Sequence, residues 1–292
     1  MNNDSGIRGH GAAVFTILVW GTTFVSTKVL LTDFKPVEIL FYRFCIGLLI
    51  LTAVYPRRLK VTSIKEESLF AGAGLCGVTL YFLLENIALT LTTASNVGVL
   101  VSVAPFFTGI LASWLLAGEK PKVTFFIGFC VAIVGVILIS FNKSPTLQFN
   151  AFGDLLALLA AVVWAIYCIL SRKISQFGYN TIQTTRRIFF YGLIFMIPAL
   201  FSFDFAWGIR RFLLPIHIFN ILFLGLGASA LCFVTWNFAV KVLGAVRTSV
   251  YIYAVPVVTV VSSALVLHEK MTWMLISGTI LILAGLVVSK KK

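Results

Sequence analysis

Long apolar stretches recur along the whole chain and constrain its fold more than any other feature. A helix that crosses a membrane needs about 20 mostly apolar residues. Ten such stretches can be drawn, over residues 11–31, 37–54, 68–89, 96–117, 123–140, 154–170, 181–201, 216–240, 248–267 and 272–288. Because the connections between them are short, we expect an all-α integral membrane protein with ten transmembrane helices and no soluble domain between them.

The composition narrows the partners of the chain. Hydrophobic residues make up 60% of it, more than a water-facing surface tolerates, so the lipid bilayer must solvate the protein. The net charge of +13 does not indicate nucleic-acid binding, because the basic residues are scattered between the apolar stretches instead of forming one face. The cysteines lie inside apolar stretches, where a thiol acts as a small packing residue, and we expect no disulfide, cofactor or metal.

The distribution of basic residues predicts an orientation. Basic residues that follow even-numbered stretches outnumber those on the other side, and include Arg57, Arg58, Lys60, Lys65, Lys120, Lys122, Arg172 and Lys173. Lysine and arginine are enriched in cytoplasmic loops. We therefore expect a multi-pass protein of the inner (cell) membrane with both termini in the cytoplasm.

A faint internal repeat relates the two halves of the chain. The matches keep the same order in both halves and pair Val19-Trp20 with Val163-Trp164, Lys28 with Arg172, Arg43 with Arg187, Asn86 with Asn237, Pro105 with Pro256 and Thr108 with Thr259. Since each half has an odd number of stretches, the second copy enters the membrane inverted. We expect two inverted five-helix repeats, residues 1–146 and 147–292, around a central cavity near the bilayer midplane.

These residues also carry a resemblance to a known family. Val-Trp-Gly-Thr-Thr-Phe at 19–24, Arg43, Asn86, Ala104-Pro105 and Gly118-Glu119 stand in the order and spacing of the EamA-type drug/metabolite transporters. The resemblance covers nearly the whole chain. It implies a secondary transporter, usually an exporter, of amino acids, their metabolites or drugs.

Two tryptophans at matching repeat positions predict the cavity. Trp20 and Trp164 lie near the middle of their stretches, whereas membrane tryptophans favour the interfaces. They either line a substrate cavity or pack between helices, and in both cases the indole N–H needs a partner. Other candidate substrate-binding residues are Thr23, Tyr81, Asn86, Ser102, Tyr167, Asn237, Tyr251 and Tyr253.

Paired prolines predict breaks in the fourth and ninth stretches. Pro105 and Pro256 remove a hydrogen bond each and free the carbonyls of Val101 and Ile252. Such breaks are tolerated in a membrane where neighbours or a cavity satisfy the freed groups. The prolines serve either as hinges for gating or as static kinks.

Ionisable residues within the stretches give a candidate coupling site. Glu85 lies about one turn inside the third stretch, where a carboxylate must be paired or protonated. It either couples transport to protons or belongs to a structural ion cluster with Lys28, Glu38 and Arg43. Arg43 starts close enough to a helix end to extend to the headgroups, so its own role stays open.

Basic residues without a neighbouring acid mark the inner end of the second half. Arg172, Lys173, Arg186 and Arg187 lack an acidic residue in a stretch beside them. We expect anionic lipid as their partner, with an anionic substrate as the alternative.

A membrane-embedded enzyme is the main rival class, and its chemistry is not visible. The sequence has no His-Glu-x-x-His or Gly-x-Ser-x-Gly motif, and His10, His217 and His268 are far apart. The sequence therefore favours a transporter of a small organic molecule over an enzyme. Amino acids are the leading cargo, and a proton-coupled exporter of drugs or other metabolites is the alternative. We expect a monomer, with a homodimer as the alternative.

Overall fold

A computed structural model describes residues 3–140, 150–203, 205, 208–268 and 272–290, and the regular structure within them is helical. The predicted boundary between the halves, at residues 146 and 147, lies outside these ranges. We number the helices α1 (Asn3–Leu30), α2 (Pro36–Val54), α3 (Ile64–Leu91), α4 (Ala94–Leu115), α5 (Val123–Ser140), α6 (Ala151–Ser175), α7 (Thr181–Ser202), α8 (Pro215–Leu243), α9 (Ala245–Val266) and α10 (Trp273–Lys290).

Within the described residues, eight helices are long and apolar enough to cross a membrane by length and composition. These eight are α1 to α4 and α6 to α9. The helices α5 and α10 contain shorter apolar stretches, Val123–Gly135 and Ile276–Ser289. The chain is thus a multi-pass helical membrane protein, as its apolar stretches predicted.

Four helices change their winding near the middle of the molecule. The π-helical segments Leu75–Leu80 and Phe223–Leu231 interrupt α3 and α8. A turn at residues 102–103 interrupts α4, and the 3₁₀ segment Val250–Ala254 interrupts α9. These changes lie at matching places in the two halves, and each alters which backbone groups are paired within its helix.

Pro105 and Pro256 begin new helical segments instead of kinking continuous helices. Each lies in the first turn of its segment, Ala104–Leu115 and Val255–Val266. A proline is well tolerated there because the first-turn N–H has no intrahelical partner in any case. The break in each helix therefore precedes its proline.

The helix contacts follow one pattern in both halves. Helix α1 packs against α8 and α9, and α6 packs against α3 and α4. Helix α2 contacts α8, and α7 contacts α3. The pairs α2–α7, α4–α9 and α5–α10 connect the halves directly.

We expect Gly128→Ala to destabilise the α5–α10 contact. A Cβ atom on Gly128 would meet the carbonyl oxygen of Gly285 and lie 2.6 Å from the backbone nitrogen of Ser289. Overpacking of this kind costs about 1–3 kcal/mol, so the melting temperature of the purified protein should fall.

Gly11→Ala is the matched control, because nothing lies within 4 Å of its Cβ position. That substitution should leave the melting temperature unchanged or raise it slightly, since alanine favours a helix. Equal melting temperatures for the two variants would contradict the close α5–α10 packing.

Candidate functional site

An aromatic cavity lies where helices of the two halves meet. The space between its walls is about 420 Å³, a volume that includes space open to the outside. Its lining residues are Trp20, Thr23, Phe24, Tyr81, Phe82, Glu85, Val101, Trp164, Ile252 and Val255. The cavity therefore offers large apolar rings and a single carboxylate.

Trp20 and Trp164 contact each other inside this cavity. Their ring centroids are 5.1 Å apart at an interplanar angle of 85°, the edge-to-face arrangement that aromatic pairs favour. The Trp20 indole donates a 2.9 Å hydrogen bond to the carbonyl oxygen of Ala228, in the π-helical segment of α8. The indole N–H of Trp164 is buried without a hydrogen-bond partner among the described residues. One tryptophan from each half of the chain thus lies in the same cavity.

Glu85 is the one acidic residue in the lining. Tyr81, one helical turn earlier, lines the cavity beside it. The Glu85 side chain is 2% exposed, and its Oε2 atom has no hydrogen-bond partner among the described residues. A carboxylate of this kind is costly to bury, which makes Glu85 a candidate for binding a ligand.

Arg43 lies directly behind the cavity wall. It is 0% exposed, so it does not extend to the headgroups, because its side chain turns toward the bundle interior. Its Nε donates to the Ser229 hydroxyl at 2.9 Å, and its guanidinium carbon lies 4.3 Å from the ring centroid of Phe82. Arg43 also interacts electrostatically with Glu85.

Tyr167 and Asn237 form a buried polar network instead of lining the cavity. The hydroxyls of Tyr167 and Ser171 donate to Asn237 Oδ1 at 2.8 and 2.7 Å. Asn237 Nδ2 donates to the Thr185 hydroxyl at 3.1 Å. Asn237 also borders a second, more polar pocket that includes Ser171 and Lys241, and the Tyr167 ring packs 4.8 Å from that of Trp164.

Four other predicted residues lie outside the cavity lining. Asn86 donates to the carbonyl of Pro36 at 3.2 Å, and Ser102 to that of Val99 at 2.6 Å. Tyr251 is hydrogen-bonded to His10 at 2.7 Å, and its neighbour Ile252 lines the cavity instead. Tyr253 is buried at 1% exposure.

The sequence did not single out the apolar residues of the lining. Phe24 follows Trp20 by four residues, as Glu85 follows Tyr81, so helical spacing could have found it. Val101 and Ile252 each precede a proline by four residues, at the carbonyls that the prolines free. That spacing was a usable signal for the cavity wall.

Two basic side chains donate hydrogen bonds to carbonyls at the C-terminal ends of α3 and α8. The Lys28 ammonium donates to the carbonyls of Leu89 and Thr92 at 2.5 and 2.9 Å, at the end of α3. The Arg172 guanidinium donates to Val240 and Lys241 at 3.4 and 3.0 Å, at the end of α8. Cations stabilise helix C-termini, so each of these side chains stabilises the helix end that it contacts.

The expectation that no acidic residue lies in a helix beside the inner basic residues is wrong for Arg187, because its partner Glu67 lies in α3. Arg172 pairs with Glu119, from the segment after α4. Arg187 pairs with Glu67 at 2.6 Å, because α3 begins earlier than the apolar stretch predicted. These arginines thus have partners within the protein.

Glu38 and Glu85, two acidic residues of the predicted outer ion cluster, lie in different surroundings. Arg211 binds Glu38 at 2.6 Å, and this hydrogen bond raises the pKa of Arg211. Glu85 instead lines the cavity. In the described part of the chain, no group of three or more His, Cys, Asp or Glu residues could hold a metal ion.

We expect Asn237→Ala to destabilise the protein. The change removes the acceptor of the Tyr167 and Ser171 hydroxyls, and each buried unsatisfied polar group costs about 1–3 kcal/mol. The Thr185 hydroxyl keeps its hydrogen bond to the carbonyl of Thr181. The melting temperature should fall clearly.

Asn220→Ala is the matched control on the same helix. Asn220 is 5% exposed, as Asn237 is, but among the described residues its amide donates to the carbonyl of Ile216, in its own helix, and to no other helix. An equal loss of stability in both variants would contradict a special role of the Asn237 network.

Comparison with known proteins agrees with this architecture. An uncharacterized transporter of Archaeoglobus fulgidus is 28% identical to this chain in sequence, and the alignment covers 98% of both chains. A probable terminal-alkyne amino-acid exporter of Streptantibioticus cattleyicolor is 24% identical, covering 96% of this chain and 93% of its own. A solved crystal structure shares the fold with a TM-score of 0.72 at 19% identity, covering 99% of this chain and 97% of that one.

The sequence profile of one family matches nearly the entire chain in two consecutive parts. The matched residues are 7–141 and 151–290. The long apolar helices and the named transporter relatives point to membrane transport rather than to enzymatic activity. The chain belongs to the EamA-like transporter family.

Proposed function

We propose that the protein exports small organic metabolites, with amino acids as the leading cargo, by alternating access around the aromatic cavity. In this proposal ten helices span the inner membrane as two inverted repeats, residues 1–146 and 147–292, and both termini are cytoplasmic. The protein acts as a monomer, with a homodimer as the alternative.

The symmetry of the helix contacts supports the inverted repeat. Exchanging the first five helices with the last five turns the α1–α8 contact into α6–α3, and the α2–α8 contact into α7–α3. The π-helical segments of α3 and α8 fall at matching places, as do the breaks before Pro105 and Pro256. Paired interruptions of this kind accompany substrate sites in transporters built from repeats.

The contact between Trp20 and Trp164 is the observation that carries the proposal. It places one aromatic ring from each half in the same cavity. A relative motion of the halves would part these rings and open the cavity toward one side of the membrane. Pro105 and Pro256 then act as hinges, since each starts a helical segment just beyond the cavity wall.

The cargo class follows from the lining. Aromatic rings suit an apolar side chain, and the Glu85 carboxylate suits an ammonium group. The name of the Streptantibioticus relative, a probable amino-acid exporter, supports the same class and the outward direction.

Proton-coupled export of drugs or other metabolites is the second candidate, and Glu85 favours it. A buried carboxylate facing a cavity could carry a proton in exchange for substrate, with Tyr81 and Arg43 as the polar groups beside it. If so, a pH gradient with the acidic side inside vesicles should accelerate uptake, and Glu85→Gln should remove that acceleration. Glu66→Gln, outside the cavity, is the control. Persistence of the acceleration in Glu85→Gln would exclude Glu85 as the coupling group.

Uptake into proteoliposomes tests the main proposal. Purified protein is reconstituted and offered a panel of radiolabelled amino acids, with and without a pH gradient. The proposal predicts saturable uptake of amino acids with apolar side chains, above that of protein-free liposomes. Folded protein that takes up no amino acid under either condition would overturn the amino-acid assignment.

A further inference from the structure

The geometry points to a two-point site for a zwitterion, in which Glu85 receives the ammonium group and Arg43 the carboxylate of an α-amino acid. This inference rests on the proposed transport function and specifies how its cavity recognises the cargo. Neither residue has a hydrogen-bonding partner of opposite charge among the described residues.

Glu85 recognises the cationic half of the zwitterion, its ammonium group. The Glu85 carboxylate lines the cavity, and so does Tyr81 one helical turn earlier. The Oε2 atom is buried without a partner among the described residues. An ammonium group in the cavity would give this oxygen a charge-assisted hydrogen bond, the stronger class of such bonds.

Arg43 recognises the anionic half of the zwitterion, its carboxylate, from a position behind Phe82. Both Nη atoms are buried and lack hydrogen-bond acceptors within the described ranges, while Nε is held by Ser229. The Phe82 ring, which lines the cavity, covers the guanidinium through a cation–π contact. A rotation of the Phe82 side chain would let a carboxylate in the cavity reach the two Nη atoms, which can bind it in bidentate fashion.

The energetics favour a ligand that carries both charges. Burying an ionic group is costly unless its hydrogen-bonding atoms find partners, and each buried unsatisfied atom calls for an explanation. The attraction between Arg43 and Glu85 offsets part of this cost but leaves the Nη atoms and Oε2 unbonded. An amine alone would satisfy only Glu85, and an acid alone only Arg43, whereas an α-amino acid satisfies both at once.

A series of leucine analogues tests this inference. Proteoliposomes take up radiolabelled L-leucine in the presence of unlabelled leucinamide, 3-methylbutylamine or 4-methylpentanoate, each of which lacks one charged group of the zwitterion. Each analogue should compete at least tenfold more weakly than unlabelled leucine. An analogue that competes as well as leucine would overturn the two-point site while leaving transport standing.

Two variants assign the charges. Arg43→Gln should reduce the preference for leucine over 3-methylbutylamine, and Glu85→Gln should reduce the preference for leucine over 4-methylpentanoate. Arg43→Lys keeps the charge and should keep part of the preference. Arg58→Gln and Glu66→Gln, outside the cavity, should discriminate as the unmodified protein does.

The outcomes separate this inference from the proposed function. Retained discrimination in both folded variants would overturn the assignment of Arg43 and Glu85. Folded unmodified protein that takes up no amino acid would overturn the proposed function together with this inference. Because the analogue series uses the unmodified protein, it decides the matter even if Arg43→Gln does not fold.

Discussion

Replacing both Trp20 and Trp164 by alanine should reduce transport of apolar amino acids at least tenfold. The two rings form the contact between the halves inside the cavity, and the change removes the surface against which an apolar side chain packs. A tenfold loss corresponds to about 1.4 kcal/mol, within the range of about 0.5–1.5 kcal/mol that an aromatic pair contributes beyond its buried area. The measurement is the initial rate of uptake into proteoliposomes with equal amounts of folded protein.

Matched variants distinguish the loss of the substrate site from a general loss of folding. Trp114 and Trp273 are 77% and 85% exposed, so their joint replacement by alanine should leave uptake unchanged. Replacing Trp20 and Trp164 by phenylalanine keeps aromatic surface and should retain part of the activity. Normal uptake by the double alanine variant would contradict the aromatic cavity as the substrate site.

The double variant Arg43→Met with Glu85→Gln should be at least as stable as the unmodified protein and yet fail to transport zwitterions. It removes two buried charges together, and replacing such charges by residues of similar volume is often neutral or stabilising by about 1–4 kcal/mol. The melting temperature and leucine uptake, measured on the same preparation, check both parts.

The pair Arg172 and Glu119 provides the contrasting case. Glu119 accepts hydrogen bonds from the backbone nitrogen of Ala245 at 2.7 Å, and Arg172 closes the end of α8. Arg172→Met with Glu119→Gln should therefore lower the melting temperature. A severe loss of stability in the Arg43 and Glu85 variant instead would show that those charges are structural.

The apolar stretches predicted the helices well because twenty apolar residues in a row have few other stable environments. Helix ends were less predictable. Glu67 lies inside α3, although the apolar stretch begins after it, since amphipathic first turns extend beyond the lipid-facing part. The partner of Arg187 was missed for this reason.

The candidate site was predictable where the repeat supplied a second copy of the signal. Trp20 and Trp164, which the sequence comparison of the two halves paired, contact each other. The π-helical segments were not anticipated, because no side-chain pattern announces a change of winding. The π-helical winding of α8 places Ala228 within hydrogen-bonding distance of Trp20, and Ser229 within hydrogen-bonding distance of Arg43. It thereby determines how these two side chains are held at the cavity wall.

Counterflow in proteoliposomes tests the central claim, alternating access to one cavity, most directly. Vesicles are preloaded with unlabelled L-leucine, diluted, and offered a trace of radiolabelled L-leucine outside. A carrier with one site predicts a transient accumulation of label above its equilibrium level, and the overshoot should vanish when Trp20 and Trp164 are both alanine. Simple equilibration of the label without an overshoot would contradict alternating access.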